Sequence, residues 1–282
     1  MNENNKLGTL YIVATPIGNQ SDISFRALET LSKVDVCAAE DTRKAMILFN
    51  YYQISTKLIS YHKYSEHNKL DYFINQLKKG KDVALISDAG TPLISDPGYS
   101  LVKKARQLFI NVIPIPGSSS LTAAVSVSGL PLNRFTFYGF PPRQVKSKKE
   151  FINSIYENIN TSVVFESGKR IESFLKSLIA LSPQREVFVA REITKEHESF
   201  YFGKINKVLN ELTSQKYSLK GEFVIVIGGK LELEIPDFIS KDQEMILKIL
   251  LKNMKKNEAL SLASKVFGIN KNSIYKSLLK EK

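Results

Sequence analysis

Two near-copies of one short phrase carry the residue types best suited to chemistry: Ser87-Asp88-Ala89-Gly90-Thr91-Pro92 and, after Leu93 and Ile94, Ser95-Asp96-Pro97-Gly98. They follow the apolar run Val83–Ile86 and precede a helical pattern that starts at Tyr99. A buried strand ending in Asp, Gly, Thr and Pro before a helix puts an irregular polar loop at the carboxyl edge of a sheet, where open α/β proteins bind ligands. Three more polar turns follow apolar runs: Pro16-Ile17-Gly18-Asn19, Glu40-Asp41-Thr42-Arg43 and Pro116-Gly117-Ser118-Ser119-Ser120. In a parallel sheet all four lie on one edge, which makes that edge the expected binding site.

Several chemistries lack their residues. No Gly-x-Gly occurs, and no glycine precedes Lys-Ser or Lys-Thr, so neither a dinucleotide fingerprint nor a P-loop is present. His62, His67 and His197 have no zinc-ligand spacing, and the single cysteine, Cys37, sits in an apolar run as a core residue. No metal is expected. No Gly-x-Ser-x-Gly elbow supports a serine nucleophile. What remains is a pocket of backbone groups, small hydroxyls and acidic side chains, suited to a compact ligand with hydrogen-bonding edges and some positive charge.

The elements that must position these loops alternate. Strands Thr9–Thr15, Val34–Ala39, Ile54–Ser60, Val83–Ile86 and Asn111–Pro114 are interleaved with helices over Asp22–Lys33, Glu66–Lys79 and Tyr99–Phe109. That order predicts an α/β protein with a mostly parallel sheet covered on both faces. Pro141-Pro142 and the basic residues after them break the pattern, and a second α/β set follows, ending in the apolar strand Gly221–Gly229. We therefore expect an N-terminal α/β domain over residues 1–140, a second α/β domain over 141–236, and a basic helical tail over 237–282. In the tail Asn257 is the expected helix cap, Gly268 the stop, and Asn270 the start of a last helix, as in a helix-turn-helix.

The 282 residues, 43% of them apolar, are enough for a sizeable core. The formal charge of +12 points to a polyanionic partner such as nucleic acid, with a lysine-rich solvated surface as the plainer alternative. From Lys241 to Lys282 ten lysines face four carboxylates, half of the net charge. With no cysteine framework, no apolar leader and no stretch of membrane-spanning length, a cytoplasmic protein is expected.

The blocks TPIGN, AAEDTR, YHKYSEHN, SDAGTPLISDPG, PGSSS, VVFESGKR, VAREITKEHE and KGEFVIVIGG stand in an order and spacing that resembles the ribosomal RNA small-subunit methyltransferase I family. That family has the tetrapyrrole methylase, or class III methyltransferase, fold. The resemblance runs from about Thr9 to Lys230, and the last helices resemble the family's short tail domain. It implies two α/β domains with the ligand cleft between them and S-adenosyl-L-methionine as methyl donor, leaving as S-adenosylhomocysteine. The implied acceptor is the ribose 2′-hydroxyl of a cytidine in small-subunit RNA, within the assembled subunit. A homodimer is also implied.

Position by position, the resemblance places Pro16, Asp88, Ala89, Gly90, Thr91, Ile94, Ser119 and Ser120 around the donor, with Phe165, Glu166, Ala190 and Arg191 from the second half; a structural Arg191–Glu192 salt bridge is the alternative for Arg191. The serines at the start of the helix after PGSSS would offer backbone amides to a carboxylate. On the acceptor side, Glu40 or Asp41 would take the hydroxyl proton and Arg43 would hold a phosphate. An internal Asp41–Arg43 ion pair is the structural alternative. His62 and His67 either contact RNA or serve as helix caps or surface residues, Lys265, Lys271 and Lys276 are expected RNA contacts, and Tyr61 and Tyr64 either stack on a base or belong to the core. A tetrapyrrole methylase of the same fold and a non-catalytic ribosome-binding protein are the competing readings.

Overall fold

A computed structural model describes residues 6–62, 66–214, 219–230, 241–271 and 274–275. The chain divides into two compact units, Met1–Gly228 and Gly229–Lys282.

In the first unit, β1 (Thr9–Val13), β2 (Val36–Ala39), β3 (Leu58–Ser60), β4 (Val83–Ile86) and β5 (Asn111–Ile115) form a sheet in the order β3-β2-β4-β1-β5. Every pairing in it is parallel. The continuous apolar runs follow from burial on both faces, since side chains alternate along a strand. Val83 and Leu85 of β4 pack with Phe73 and Leu77 of α3 (Glu66–Lys78) and Leu101 and Ala105 of α4 (Tyr99–Gln107). Ala84 and Ile86 face the other way, onto Ala27 and Leu31 of α1 (Phe25–Lys33) and Leu48 and Phe49 of α2 (Thr42–Tyr51). Cys37 is fully buried in that second layer, and burial pushes its thiol up, so it is inert core.

Two local expectations shift. The first helix begins at Phe25 because Ser24 caps it, its hydroxyl accepting the Ala27 amide at 3.1 Å. Helix α2 gives no clear periodic signal, because Met46, Ile47 and Tyr51 are apolar yet exposed.

A second sheet contains β6 (Phe135–Gly139), β7 (Thr161–Ser167), β8 (Glu186–Arg191), β9 (Ser199–Lys204) and β10 (Glu222–Ile227), in the order β6-β7-β10-β8-β9. Only β6 and β7 pair in parallel; the other pairs are antiparallel. The chain thus enters this sheet before Phe135, earlier than Pro141-Pro142. Those prolines follow β6, and the Pro141 carbonyl accepts from Arg170 Nη2 at 2.6 Å. Three helices, α6 (Val145–Glu157), α7 (Gly168–Ile179) and α8 (Ile205–Ser214), cover one face through Val164, Ile225 and Ile227. The opposite face, with Val163, Ala190, Val224 and Val226, packs on Ala124 and Val125 of α5 (Ser120–Ser126).

The second unit holds α9 (Lys241–Asn253) and α10 (Lys256–Phe267) around Leu247, Leu260, Ala263, Ile269 and Ile274. The cap of α10 is Lys255, two residues before the expected Asn257. Gly268, at φ 65°, ends α10 in the left-handed conformation expected of a stop glycine. The Ile274 amide donates to the Asn270 carbonyl at 3.1 Å, one turn of helix from the expected start. Among the described residues no helix is long and apolar enough to cross a membrane.

Candidate active site

Within the first unit, a cleft of about 350 Å³ lies between the carboxyl-edge loops of the parallel sheet and the strand ends of the second sheet. This is the size of a small-ligand site. The loop from Ser87 to Gly98 forms much of one wall. It is pinned to the end of β1 by reciprocal backbone bonds between Gly90 and Thr15, at 3.0 and 2.9 Å. Thr91 Oγ1 pins it again, donating to the Ser118 carbonyl at 3.2 Å.

The loop holds Leu93 at φ 72° and Ser95 at φ 73°, and the opposite wall holds Glu192 at φ 50° and Thr194 at φ 64°. Left-handed backbone at four non-glycine residues costs stability and persists where surrounding contacts enforce it, typically around functional sites. The walls also touch: the Asn19 amide donates to Thr194 Oγ1 at 3.1 Å. A Cβ on Gly18 would come within 2.5 Å of Lys195 Cγ, so this close approach requires glycine.

The charge of the cleft opposes that of the chain. Six carboxylates line it, those of Glu40, Asp88, Asp96, Glu166, Glu192 and Glu222, against the ammonium groups of Lys44 and Lys195. Lys44 Nζ is 2.7 Å from Asp88 Oδ2, and Asp88 Oδ1 accepts the Asp41 amide at 3.0 Å. Burial, with the Asp88 charge second, raises the Glu40 carboxyl above its ordinary value. Burial also pushes Asp96 up to about 6, with Glu40 and Asp88 adding to it and a Ser87 hydrogen bond opposing it.

On the far wall Glu166 is 2% exposed and raised by burial. Its Oε1 accepts the Ser167 amide at 2.8 Å; its Oε2 lies 3.3 Å from Arg170 Nε but accepts no well-formed hydrogen bond. Burial alone would lower Lys195, but its bonds to Glu222 and Glu192, at 2.8 and 2.9 Å, outweigh that and raise it.

Of the residues singled out from sequence, Asp88, Ala89, Gly90, Thr91 and Ile94 line the cleft from the central loop. Ser119 and Ser120 line it at the start of α5, which has only seven residues and so gives little helix dipole to exploit. Phe165, Glu166 and Glu40 line it as well. Pro16 borders a smaller neighbouring depression with Gln20, Lys44 and Asp88. Ala190 is fully buried beneath the sheet face. Arg191 is 8% exposed, its guanidinium donating to the carbonyls of Lys220 at 2.8 Å and His197 at 3.0 Å, a structural clamp. Asp41 caps α2 and forms the internal ion pair with Arg43, at 2.6 Å to Nη2. Arg43 keeps Asp41 well below the usual carboxylate range.

His62 follows β3 beside Tyr61, which is fully buried edge-to-face on Phe73 and belongs to the core. The backbone of His67 lies in the first turn of α3, but its side chain, with Tyr64 and Lys276, lies outside the described residues. Lys265 sits in the last turn of α10, and Lys271 borders a surface groove with Lys256, Asn257, Leu260 and Tyr275. Sequence reasoning did not assign Lys44, Asp96, Lys195 or Glu222 to the site. Asp96 carried a signal in the repeated Ser-Asp phrase; the others reach the cleft through distant partners.

The model for the family of tetrapyrrole (corrin/porphyrin) methylases matches residues 9–209. A protein of Buchnera aphidicola from Schizaphis graminum, named ribosomal RNA small subunit methyltransferase I, is 44% identical over 284 residues, 100% of this chain and 99% of its own length. The chain belongs to the ribosomal RNA small subunit methyltransferase I family. Its members differ in extent: the Thermotoga maritima protein of that family is 43% identical over 224 residues, all of that protein and 79% of this chain. Among solved structures, a cobalt precorrin-4 methyltransferase superposes with a TM-score of 0.59 at 16% identity, covering 78% of this chain and 94% of that one. Uroporphyrin-III C-methyltransferase from Thermus thermophilus, complexed with S-adenosylhomocysteine, gives 0.53 at 16% identity, covering 78% and 97%. At such identities these two structures establish the shared fold alone.

Proposed function

We propose that the chain transfers the methyl group of S-adenosyl-L-methionine to the ribose 2′-hydroxyl of a cytidine in small-subunit ribosomal RNA, releasing S-adenosylhomocysteine. The observation that carries this reading is the excess of carboxylates in the cleft of a chain whose formal charge is +12. A compact cationic methyl donor is favoured within it, with the phosphates of the RNA acceptor kept outside. Membership of the family supplies the acceptor class.

Asp88, Ala89, Gly90, Thr91, Ile94, Ser119 and Ser120 on one wall, with Phe165 and Glu166 on the other, would hold the donor. Bound there, it supplies an electrophilic methyl group on a sulfonium. The residues of the chain provide orientation, which in well-aligned reactions contributes roughly 7–11 kcal/mol. Of the two carboxylates expected to take the hydroxyl proton, Glu40 faces the cleft; Asp41 is engaged by Arg43. Arg43, exposed at the start of α2, would steady the RNA backbone. His62, His67, Lys265, Lys271 and Lys276 would add RNA contacts. A homodimer acting on the assembled subunit in the cytoplasm completes the proposal.

Labelled donor offered with assembled small subunits, naked small-subunit RNA or a precorrin tests it. Label recovered from the subunit as 2′-O-methylcytidine is expected. Label on the precorrin alone would make the chain a tetrapyrrole methylase, and label on none of the three would leave a binding protein.

A further inference from the structure

Four carboxylates crowd the edge between β2 and β4, and they are not equivalent. Asp41 takes Arg43 Nε at 3.0 Å and Nη2 at 2.6 Å. Asp88 takes the Asp41 amide and Lys44. Glu40 accepts a long bond, 3.4 Å, from the Asp88 amide, and the Lys44 charge also favours its ionised form. Asp96 differs: the groups acting on it are the Ser87 hydroxyl and the charges of Glu40 and Asp88, with no cation among them.

The backbone is built to keep Asp96 in the cleft wall. Ser95 before it is left-handed, at φ 73°, and its hydroxyl lies over Gly139 of β6 in the second sheet. Pro97 after it disfavours helical backbone at Asp96. Lys44 faces the same space from α2; Glu166 faces it from β7, Glu222 from β10, and Glu192 and Lys195 from the segment after β8, the last three bound to one another. Glu166, on the opposite wall, is held by Arg170, whose Nε lies 3.3 Å from Oε2, so the cation nearest that carboxylate is already engaged.

We infer that Asp96 accepts the proton of the acceptor hydroxyl during methyl transfer, an inference that rests on the function proposed above. The hydroxyl oxygen forms the new O–CH3 bond as the S–CH3 bond breaks, the bonding pair stays on sulfur as a neutral thioether, and the hydroxyl proton passes to the Asp96 carboxylate and then to water. A carboxyl titrating near 6 is ionised at neutral pH yet more basic than an ordinary one, as a general base requires.

A carboxyl-carbon NMR titration of the ligand-free protein is expected to give Asp96 a midpoint near 6; a midpoint near the ordinary 3.8 overturns the inference. In the RNA methylation assay, Asp96→Asn is expected to lower kcat by about 10²–10⁴-fold and to abolish the acid limb of the kcat–pH profile. Its S-adenosylmethionine affinity, read by calorimetry, should change less than tenfold. Glu40→Gln retains the acid limb whatever its rate. An acid limb that survives in Asp96→Asn and disappears in Glu40→Gln assigns the proton to Glu40 and overturns the inference. Failure of the wild-type chain to methylate RNA overturns the proposed function instead.

Discussion

Replacing Gly98 by alanine tests how the parallel sheet's core dictates the site loop. Gly98 caps α4 at φ 128°, a conformation that L side chains rarely adopt, and a Cβ there would lie 2.6 Å from Leu85 Cδ2. Leu85 is 1% exposed in β4, so its side chain has little room to yield. Backbone strain costs about 1–3 kcal/mol and overpacking about 1–3 kcal/mol, while the stiffer unfolded chain returns about 0.4–1 kcal/mol. The net expectation for Gly98→Ala is a loss of roughly 1–5 kcal/mol. Gly129→Ala is the control: its φ is also positive, 69°, but nothing lies within 4 Å of the added Cβ. It should cost roughly 1–2 kcal/mol, leaving a difference near the overpacking figure. Urea midpoints with unchanged slopes read both values. Because Gly98 ends the loop that carries Asp88–Ile94, Gly98→Ala should also weaken binding of S-adenosylmethionine, and Gly129→Ala should not. Equal stability losses in the two variants would refute the claim that Leu85 fixes the loop.

Asp88→Ala removes the acceptor of both Lys44 and the Asp41 amide. It should weaken donor binding about tenfold or more, roughly 1.4 kcal/mol by calorimetry, with a cooperative fold; wild-type affinity would contradict this. The raised Asp96 carboxyl has a definite sign in stability. The folded state holds this proton more tightly than the unfolded chain, so the contribution of Asp96 to stability is fully present below about 4 and is lost as pH rises from there to about 6. After allowance for solvent at a half-buried side chain the loss is about 1–2 kcal/mol. Asp96→Asn should abolish that portion of the pH dependence in urea unfolding at pH 4.5 and 7.5, and an unchanged dependence would count against it. Replacing Lys256, Lys265 and Lys271 by Gln together should flatten the salt dependence of RNA binding, by up to about 0.7 in slope for each lysine that meets a phosphate. An unchanged slope would return these lysines to a solvated face.

The parallel sheet was legible because both its faces are covered, so β1, β2 and β4 read as unbroken apolar runs before polar turns. Helix α2 was hidden because exposed Met46, Ile47 and Tyr51 blur its periodicity, although Asp41, followed by a hydrogen-bonded Arg43 amide, is a normal cap. The strand directions of the second sheet were not legible: β10 inserts between β7 and β8, a pairing set by long-range packing. The site followed the same division. Asp88, Gly90, Thr91 and Glu40 arrive with their own loops, and the motifs announce them. Ala190 and Arg191 lie in a motif block, but the alternation of β8 and the carbonyls of Lys220 and His197 turn them to structural use. Lys195 and Glu222 meet across 27 residues of sequence, and no local pattern encodes that pair.

The central claim is that the carboxylate-lined cleft between the two sheets holds the methyl donor. A crystal structure of the chain with S-adenosylhomocysteine tests it most directly. The account predicts electron density for the ligand against Asp88–Ile94 on one wall and Phe165 and Glu166 on the other. Ligand density elsewhere on the chain, with this cleft filled only by solvent, would contradict it.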